Sequence, residues 1–283
     1  MALQKQHIDF ISFLKSQSKA SATITAYSKD IKQLIAYLES EQKATWGDVS
    51  TENLQGFLSS LSSKGYTPKS VSRKINSIKT FYRYLVAHKI IENNPSAAII
   101  HPKFDTKTPR ILSRIEYRAL RDACREDVRI SAIVEILLQT GMRIGELAAL
   151  TSDSVRAESI IIPAVENHES REVPLNKAAK ASLTSYLSIR PKVKSNALFI
   201  TKTGRPFLIR NIRTSIDRYF KLAGIKDAKV NDLRHTFIAY HLASGASPVI
   251  IAKLAGHKRI STTEKYLDYI KDLPIEKVHL EEL

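Results

Sequence analysis

Four residues in the second half of this 283-residue chain could do phosphate chemistry together: Arg143 in TGMRIGELAAL, Arg234 in NDLRHTFIAYHLASG, and His257 and Tyr266 in AGHKRISTTEKYLDY. The arginines stand 91 residues apart, and the tyrosine follows the histidine by nine. A guanidinium offers a planar fork to two non-bridging phosphate oxygens. Two of them would stabilise the extra negative charge of a pentavalent transition state. Tyrosine, with an ordinary pKa of about 10, becomes a nucleophile only beside a base or in a strongly positive site. Each residue also has a plainer reading. Arg143 and Glu146, at i and i+3, suit a structural ion pair. Arg234 could pair with Asp232, His257 suits a turn after Gly256, and Tyr266 suits a core position, as does Tyr269 one turn on.

Helices must position these groups. In the first box, Ile144, Leu147 and Leu150 turn inward while Arg143 and Glu146 share another side. In the second, Asp232 can cap a helix whose first turn carries Arg234, where the helix dipole also favours an anion. Ser261 with Glu264 reads as a capping box opening a short helix that bears Tyr266. Upstream, Ser113 with Glu116 forms another such box, and helices are expected at 113–124, at 128–139 and after Gly141. Short β-rich runs stand at 159–163, 171–175 and 197–201.

Residues 1–100 read as helices only. Ile8, Phe10, Ile11, Phe13 and Leu14 give one amphipathic stretch, and Ile24, Tyr27, Ile31, Leu34, Ile35 and Leu38 a second. A third begins near Ser50 and stops at Gly65. A fourth begins at Thr67-Pro68, with Val71, Ile75, Ile78, Tyr82 and Leu85 inward. Its other side carries Lys69, Arg73, Asn76, Thr80 and Arg83, flanked by Lys74 and Lys79, a basic and amide-bearing face that suits either a DNA groove or solvent. The proline-rich, aperiodic stretch 93–112 reads as a boundary. The expected division is a helical domain over 1–100, a linker over 101–112, a second domain over 113–272 and a tail over 273–283.

Composition narrows the partner. Lys and Arg number 44 against 28 Asp and Glu, a net charge of +16. An excess of that size favours a polyanionic partner, nucleic acid first; the plainer alternatives are a solvated basic surface or a membrane-facing one. It is spread along the chain, with 13 basic against 7 acidic side chains in 1–100 and 31 against 21 in the remainder. No apolar run approaches the roughly 20 residues of a membrane helix, and the N-terminus lacks the apolar core of a signal peptide. The single cysteine, Cys124, has no metal-ligand spacing around it and reads as a buried thiol in a reducing compartment. No Walker-type glycine loop or carboxylate cluster is present.

The order and wording of the boxes resemble the tyrosine recombinase and phage-integrase family, most closely its Xer-type members. TGMRIGELAAL resembles the family's first arginine box, and DLRHTFIAYHLASGASPVIIAKLAGHKRISTTEKY the second box through to the nucleophile. TPKSVSRKINSIKTFYRYL with IIENNP is similar to the family's helical DNA-clamp domain, so the likeness spans nearly the whole chain. The resemblance implies a mainly α fold with a small β-sheet in the second domain, the two domains forming a C-shaped clamp on duplex DNA. It implies that Tyr266 attacks a phosphodiester, giving a 3′-phosphotyrosyl link and a free 5′-hydroxyl, with Arg143, Arg234 and His257 as catalytic partners and no cofactor. It further implies paired DNA half-sites, a tetramer on DNA whose tails dock on neighbours, and a cytoplasmic, nucleoid-associated protein. A DNA translocase is a candidate further partner. Chromosome- or plasmid-dimer resolution and mobile-element integration both stand open.

Two positions depart from the family pattern. Asn231 stands where the family carries His or Lys, and it can donate a hydrogen bond but not relay a proton. The hairpin position of the family's lysine, acid to the leaving 5′-oxygen, falls on Glu166, with no lysine from 157 to 176. Lys202 and His168 are the candidate substitutes. Loss of a general acid costs about 10²–10⁴-fold in rate, so slow cleavage is expected. Two alternatives are a catalytically impaired DNA-binding relative with an accessory or regulatory role, and a type IB topoisomerase-like relaxase.

Overall fold

The structure, a computed structural model, describes residues 2–271 except 106 and 167; the tail expected at 273–283 lies outside the described residues. The chain divides into two compact units, 1–106 and 107–283.

Local chemistry starts the helices of the first unit. These are α1 (Ala2–Ser16), α2 (Ser21–Ser40), α3 (Thr51–Ser63) and α4 (Pro68–Ala87). The Ser50 hydroxyl accepts from the Asn53 N–H and Asn53 Oδ1 accepts from the Ser50 N–H, which opens α3. Thr67 accepts from the Ser70 N–H ahead of Pro68, whose fixed φ suits a first turn. Their apolar stripes meet in one core of Phe10, Leu34, Leu54, Ile78, Phe81 and Tyr82, with Trp46 inserted edge-on against Phe81. Ile8, expected on the inward side of α1, is 64% exposed.

The basic side of α4 divides. Asp30 on α2 is almost completely buried, and a buried carboxylate must be paired. Arg73 holds it through both Nη atoms at 2.5 and 2.9 Å, and Lys74 and Ser77 donate to it at 2.8 and 2.7 Å. Lys74, itself buried, also donates to Gln33. Lys74 therefore does not face DNA, and the Arg73 fork is engaged within the unit. Lys69 and Arg83 remain exposed, and Lys79 is half-buried.

The stretch 93–112 is irregular but anchored at both ends. Ile99 is buried in the first core and Ser72 hydrogen-bonds His101. Leu112 is buried in the second core, its N–H donating to Thr236 Oγ1.

The second unit contains α5 (Arg114–Cys124), α6 (Val128–Thr140), α7 (Ile144–Ala149), β1 (Ser159–Ile162), β2 (Arg171–Pro174), α8 (Lys177–Ile189), α9 (Ile209–Leu222), α10 (Val230–Ala243), α11 (Pro248–Ala255) and α12 (Ser261–Tyr269). The expected Ser113–Glu116 capping box opens α5. Helix α6, buried along almost its whole length, is the centre of the unit. β1 and β2 pair antiparallel with Ile160 opposite Val173. The β-rich run 197–201 forms no strand; Ala197 and Ile200 make isolated bridges to Thr151 and Pro206. Cys124 is buried in this core, and burial pushes its thiol up to about 11. Among the described residues no helix is long and apolar enough to cross a membrane.

Candidate active site

Arg234 is buried and is held by main-chain oxygens. Its Nη1 donates to Gly141 O at 2.5 Å and to Ala255 O at 2.6 Å. Gly141 caps the C-terminus of α6 at φ +60°, and Ala255 ends α11. Helix C-termini carry partial negative charge, so the two ends together suit a cation. Gly141 is needed twice over: its φ is left-handed, and a Cβ there would lie 2.3 Å from the Phe237 ring of α10. Burial, with Arg143 nearby, lowers the Arg234 pKa to about 9. Asp232 was expected to cap α10 and offered a possible ion pair; it makes no pair with Arg234, and it caps from inside the first turn rather than from the N-cap position. The helix begins at Val230, and Asp232 accepts from the Lys229 N–H at 2.8 Å, which moves Arg234 out of the first turn.

Glu146 organises a second cationic group. Its carboxylate is 2% exposed and accepts from the Arg143 N–H (2.8 Å), Arg143 Nη1 (2.9 Å) and Arg171 Nη1 and Nη2 (2.9 and 2.7 Å). Burial opposes its charge, but the bonds from Arg171 and the Arg143 N–H prevail and hold it at about 2. Arg143 also donates to Gly256 O at 3.0 Å and Arg171 to Leu254 O at 2.7 Å. Gly256, at φ +70°, lies against the Arg171 guanidinium, leaving no room for a Cβ. The plain ion pair of Arg143 with Glu146 thus exists, but as part of a larger set. Two guanidinia bond one carboxylate and Arg234 adds a third cation nearby, so the site carries a net positive charge.

The turn after α11 brings in the remaining groups. The His257 N–H donates to Ala252 O, and its Nδ1 meets Thr263 Oγ1 at 2.7 Å, so Nε2 is the ring nitrogen left for a ligand. Burial and then Arg234 lower its pKa to about 4. Helix α12 starts without the expected Ser261 cap; the Glu264 N–H donates to Ile260 O instead. Tyr266 is 6% exposed, and its Oη lies 2.5 Å from His235 Nδ1. Burial raises the phenol to about 12, with Arg234 acting the other way. Tyr269 packs edge-on against the Tyr266 ring.

The structure thus brings Arg143, Glu146, Arg234, His257 and Tyr266 together. Asn231 is exposed one turn before His235, its side-chain amide 3.3 Å from His235 Nε2. His168 lines a cleft with Arg171, Gly256, His257 and Lys258, and burial and then Arg143 lower its pKa. Glu166 occupies the turn beside it at φ +53°, where Val165 and His168 exchange main-chain hydrogen bonds. Lys202 does not belong to the site. It is exposed beside 126–129, at the start of α6, whereas Gly141 closes the other end. A 13-residue helix separates these points by about 20 Å. Sequence reasoning missed two members. Arg171 alternates with Val173 and Leu175, which placed it on the inward face and demanded a carboxylate partner. His235 stands at i+4 from Asn231 and next to Arg234.

Residues 110–271 match the phage integrase family and residues 8–89 the phage integrase N-terminal SAM-like domain. The chain belongs to the phage integrase family of tyrosine recombinases. Within it, the chain is 31% identical over 276 residues to tyrosine recombinase XerD of Oceanobacillus iheyensis, covering 93% of each. The fold is that of lambda integrase. A dimer of that protein bound to a COC′ core site gives a TM-score of 0.78 at 17% identity, covering 99% of this chain and 80% of that one. Its tetramer bound to a Holliday junction gives 0.76 at 17% identity, covering 92% and 79%.

Proposed function

We propose that the chain is a site-specific DNA recombinase that cuts and rejoins duplex DNA through a phosphotyrosyl link on Tyr266, acting as a multimer on paired half-sites. The observation that carries this reading is the position of the Tyr266 hydroxyl beside a guanidinium, Arg234, that forms no ion pair with a carboxylate among the described residues.

A scissile phosphate fits between Arg234 and Arg143, each presenting N–H groups to non-bridging oxygens. His257, neutral at pH 7, can accept the Thr263 hydroxyl at Nδ1 and donate from Nε2 to the same phosphate. Tyr266 Oη attacks phosphorus, the P–O5′ bond breaks, and its electron pair leaves with the 5′-oxygen. His168 protonates that oxygen. Its lowered pKa keeps its protonated fraction small at pH 7, which makes cleavage slow, and a phosphate in the cleft raises it again. A 5′-hydroxyl from another strand reverses the step. Lys69 and Arg83, exposed on the same side of α4, supply contacts to the DNA backbone.

The test is a nicked duplex carrying a site selected by binding from a random-sequence library. The wild-type chain should form a denaturant-resistant adduct, and Tyr266→Phe should form none while still binding. An adduct that survives in Tyr266→Phe rules out this nucleophile.

A further inference from the structure

We infer that His235 is the proton acceptor for the Tyr266 hydroxyl, and that Asn231 holds the His235 imidazole in the tautomer this requires; the inference rests on the assignment of Tyr266 as nucleophile. His235 Nδ1 stands 2.5 Å from Tyr266 Oη, and Nε2 stands 3.3 Å from the Asn231 amide one helical turn earlier on α10. A neutral imidazole carries one proton, on one nitrogen. The phenol brings the hydrogen to its bond, so Nδ1 must accept and Nε2 must carry the proton. Nε2–H then needs an acceptor, which Asn231 Oδ1 provides once the amide is turned end for end, an exchange that hydrogen-bonding logic decides. A lysine at 231 has donors only and would leave Nε2–H without a partner. The substitution that removes a proton relay at 231 therefore creates an orienting acceptor for the next ring along the helix. An asparagine orienting a histidine that activates a nucleophile is a known arrangement in cysteine hydrolases.

The surroundings keep His235 neutral. Burial comes first and the Arg234 charge second, and together they bring it to about 4; His257 and Tyr266 are the other titratable groups that face it. In the cleavage step the Tyr266 proton moves to Nδ1 and gives an imidazolium, the phenolate oxygen bonds to phosphorus, and the 5′-oxygen departs with the electron pair and takes its proton from His168. On rejoining, His235 returns the proton to Tyr266. The incoming phosphate supplies the negative charge that makes His235 more basic at that moment.

The test uses single-turnover cleavage of the selected nicked duplex and of the same duplex with sulfur at the 5′-bridging position. A thiolate leaves without a proton, so sulfur rescues a lost leaving-group acid but not a lost activator of the nucleophile. His235→Gln, which keeps size and polarity, and His235→Ala should both bind normally and cleave about 10²–10⁴-fold more slowly, and sulfur should not restore either. Asn231→Ala should lose about 10–100-fold, and Asn231→Asp, which retains the acceptor oxygen, should recover most of it. Rescue of His235→Gln by sulfur, an unchanged rate, or a faster rate (a restraint on Tyr266 instead) overturns the inference while leaving the nucleophile in place. A readout without DNA comes from ¹⁵N-histidine NMR of the wild-type chain. His235 should show the Nε2–H tautomer, and an Nδ1–H tautomer overturns the inference.

Discussion

Arg234 Nη1 lies 2.5 Å from the carbonyl oxygen of Gly141, a residue 93 positions earlier in the chain. With Ala255 O on the same nitrogen, the guanidinium is solvated by two helix ends. Dipoles of this kind hold a cation without neutralising it, so a substrate meets the full charge. Such preorganised charge in a dry site is the largest contribution in many enzymes.

The arrangement predicts that the DNA-free chain binds tetrahedral and pentavalent oxyanions. Sulfate or orthovanadate should raise the melting temperature, with a stabilisation of about 2.7 kcal/mol at a concentration 100 times the dissociation constant. Arg234→Gln should abolish the rise. An equal rise in the variant would place the anion elsewhere.

Glu146 should tie stability to pH. Its folded pKa, about 2, lies below the usual carboxylate value near 4.3. Its contribution is therefore complete above about pH 5 and is lost as pH falls through 2. Glu146→Gln leaves Arg143 and Arg171 without a counter-charge and should cost about 3–5 kcal/mol at pH 7. Urea melts at pH 7 and pH 3 should show the wild-type advantage shrinking in acid. A constant difference would contradict the ion-pair account.

The exposed and the buried basic residues of α4 should separate by assay. Lys69→Ala and Arg83→Ala should each weaken DNA binding and lower the salt slope by about 1, with unchanged melting. Lys74→Ala removes one of the three side chains that bond the buried Asp30 carboxylate and should unfold the first unit at lower urea. Equal stability in Lys74→Ala would show that Asp30 is satisfied by Arg73 and Ser77 alone.

Gly141→Ala should be costly, by at least about 2 kcal/mol, because left-handed backbone and a clash with Phe237 add together. Gly224→Ala is the control: φ is +70° there, but nothing lies within 4 Å of the added Cβ, so only the backbone cost of about 1 kcal/mol applies. Matching losses at both positions would mean that Phe237 moves aside freely.

What could be read in advance was local. Thr67-Pro68, Ser50 and Ser113 with Glu116 mark helix starts because each cap closes within three residues. Arg143, Arg234, His257 and Tyr266 stood out through the wording and order of their boxes and the family resemblance these carry, since each taken singly also has a plainer reading. What could not be read depends on partners far along the chain. Lys74 looked like a surface charge because Asp30 is 44 residues away. Lys202 looked available because nothing local reveals that α6 separates it from Gly141. Asp232 has the chemistry of a cap, but the Lys229 N–H takes it three residues inside the helix start. His235 was overlooked because its partner, Tyr266, arrives from a different helix.

Cys124 has a practical consequence. The sole thiol is 1% exposed, and its pKa near 11 leaves almost no thiolate at neutral pH. Maleimide reagents should ignore it in the folded chain. A single cysteine introduced at an exposed position such as Ser63 or Ser185 can then carry a fluorophore with the native residue left in place. The protein comes ready for single-molecule observation of its own strand exchange.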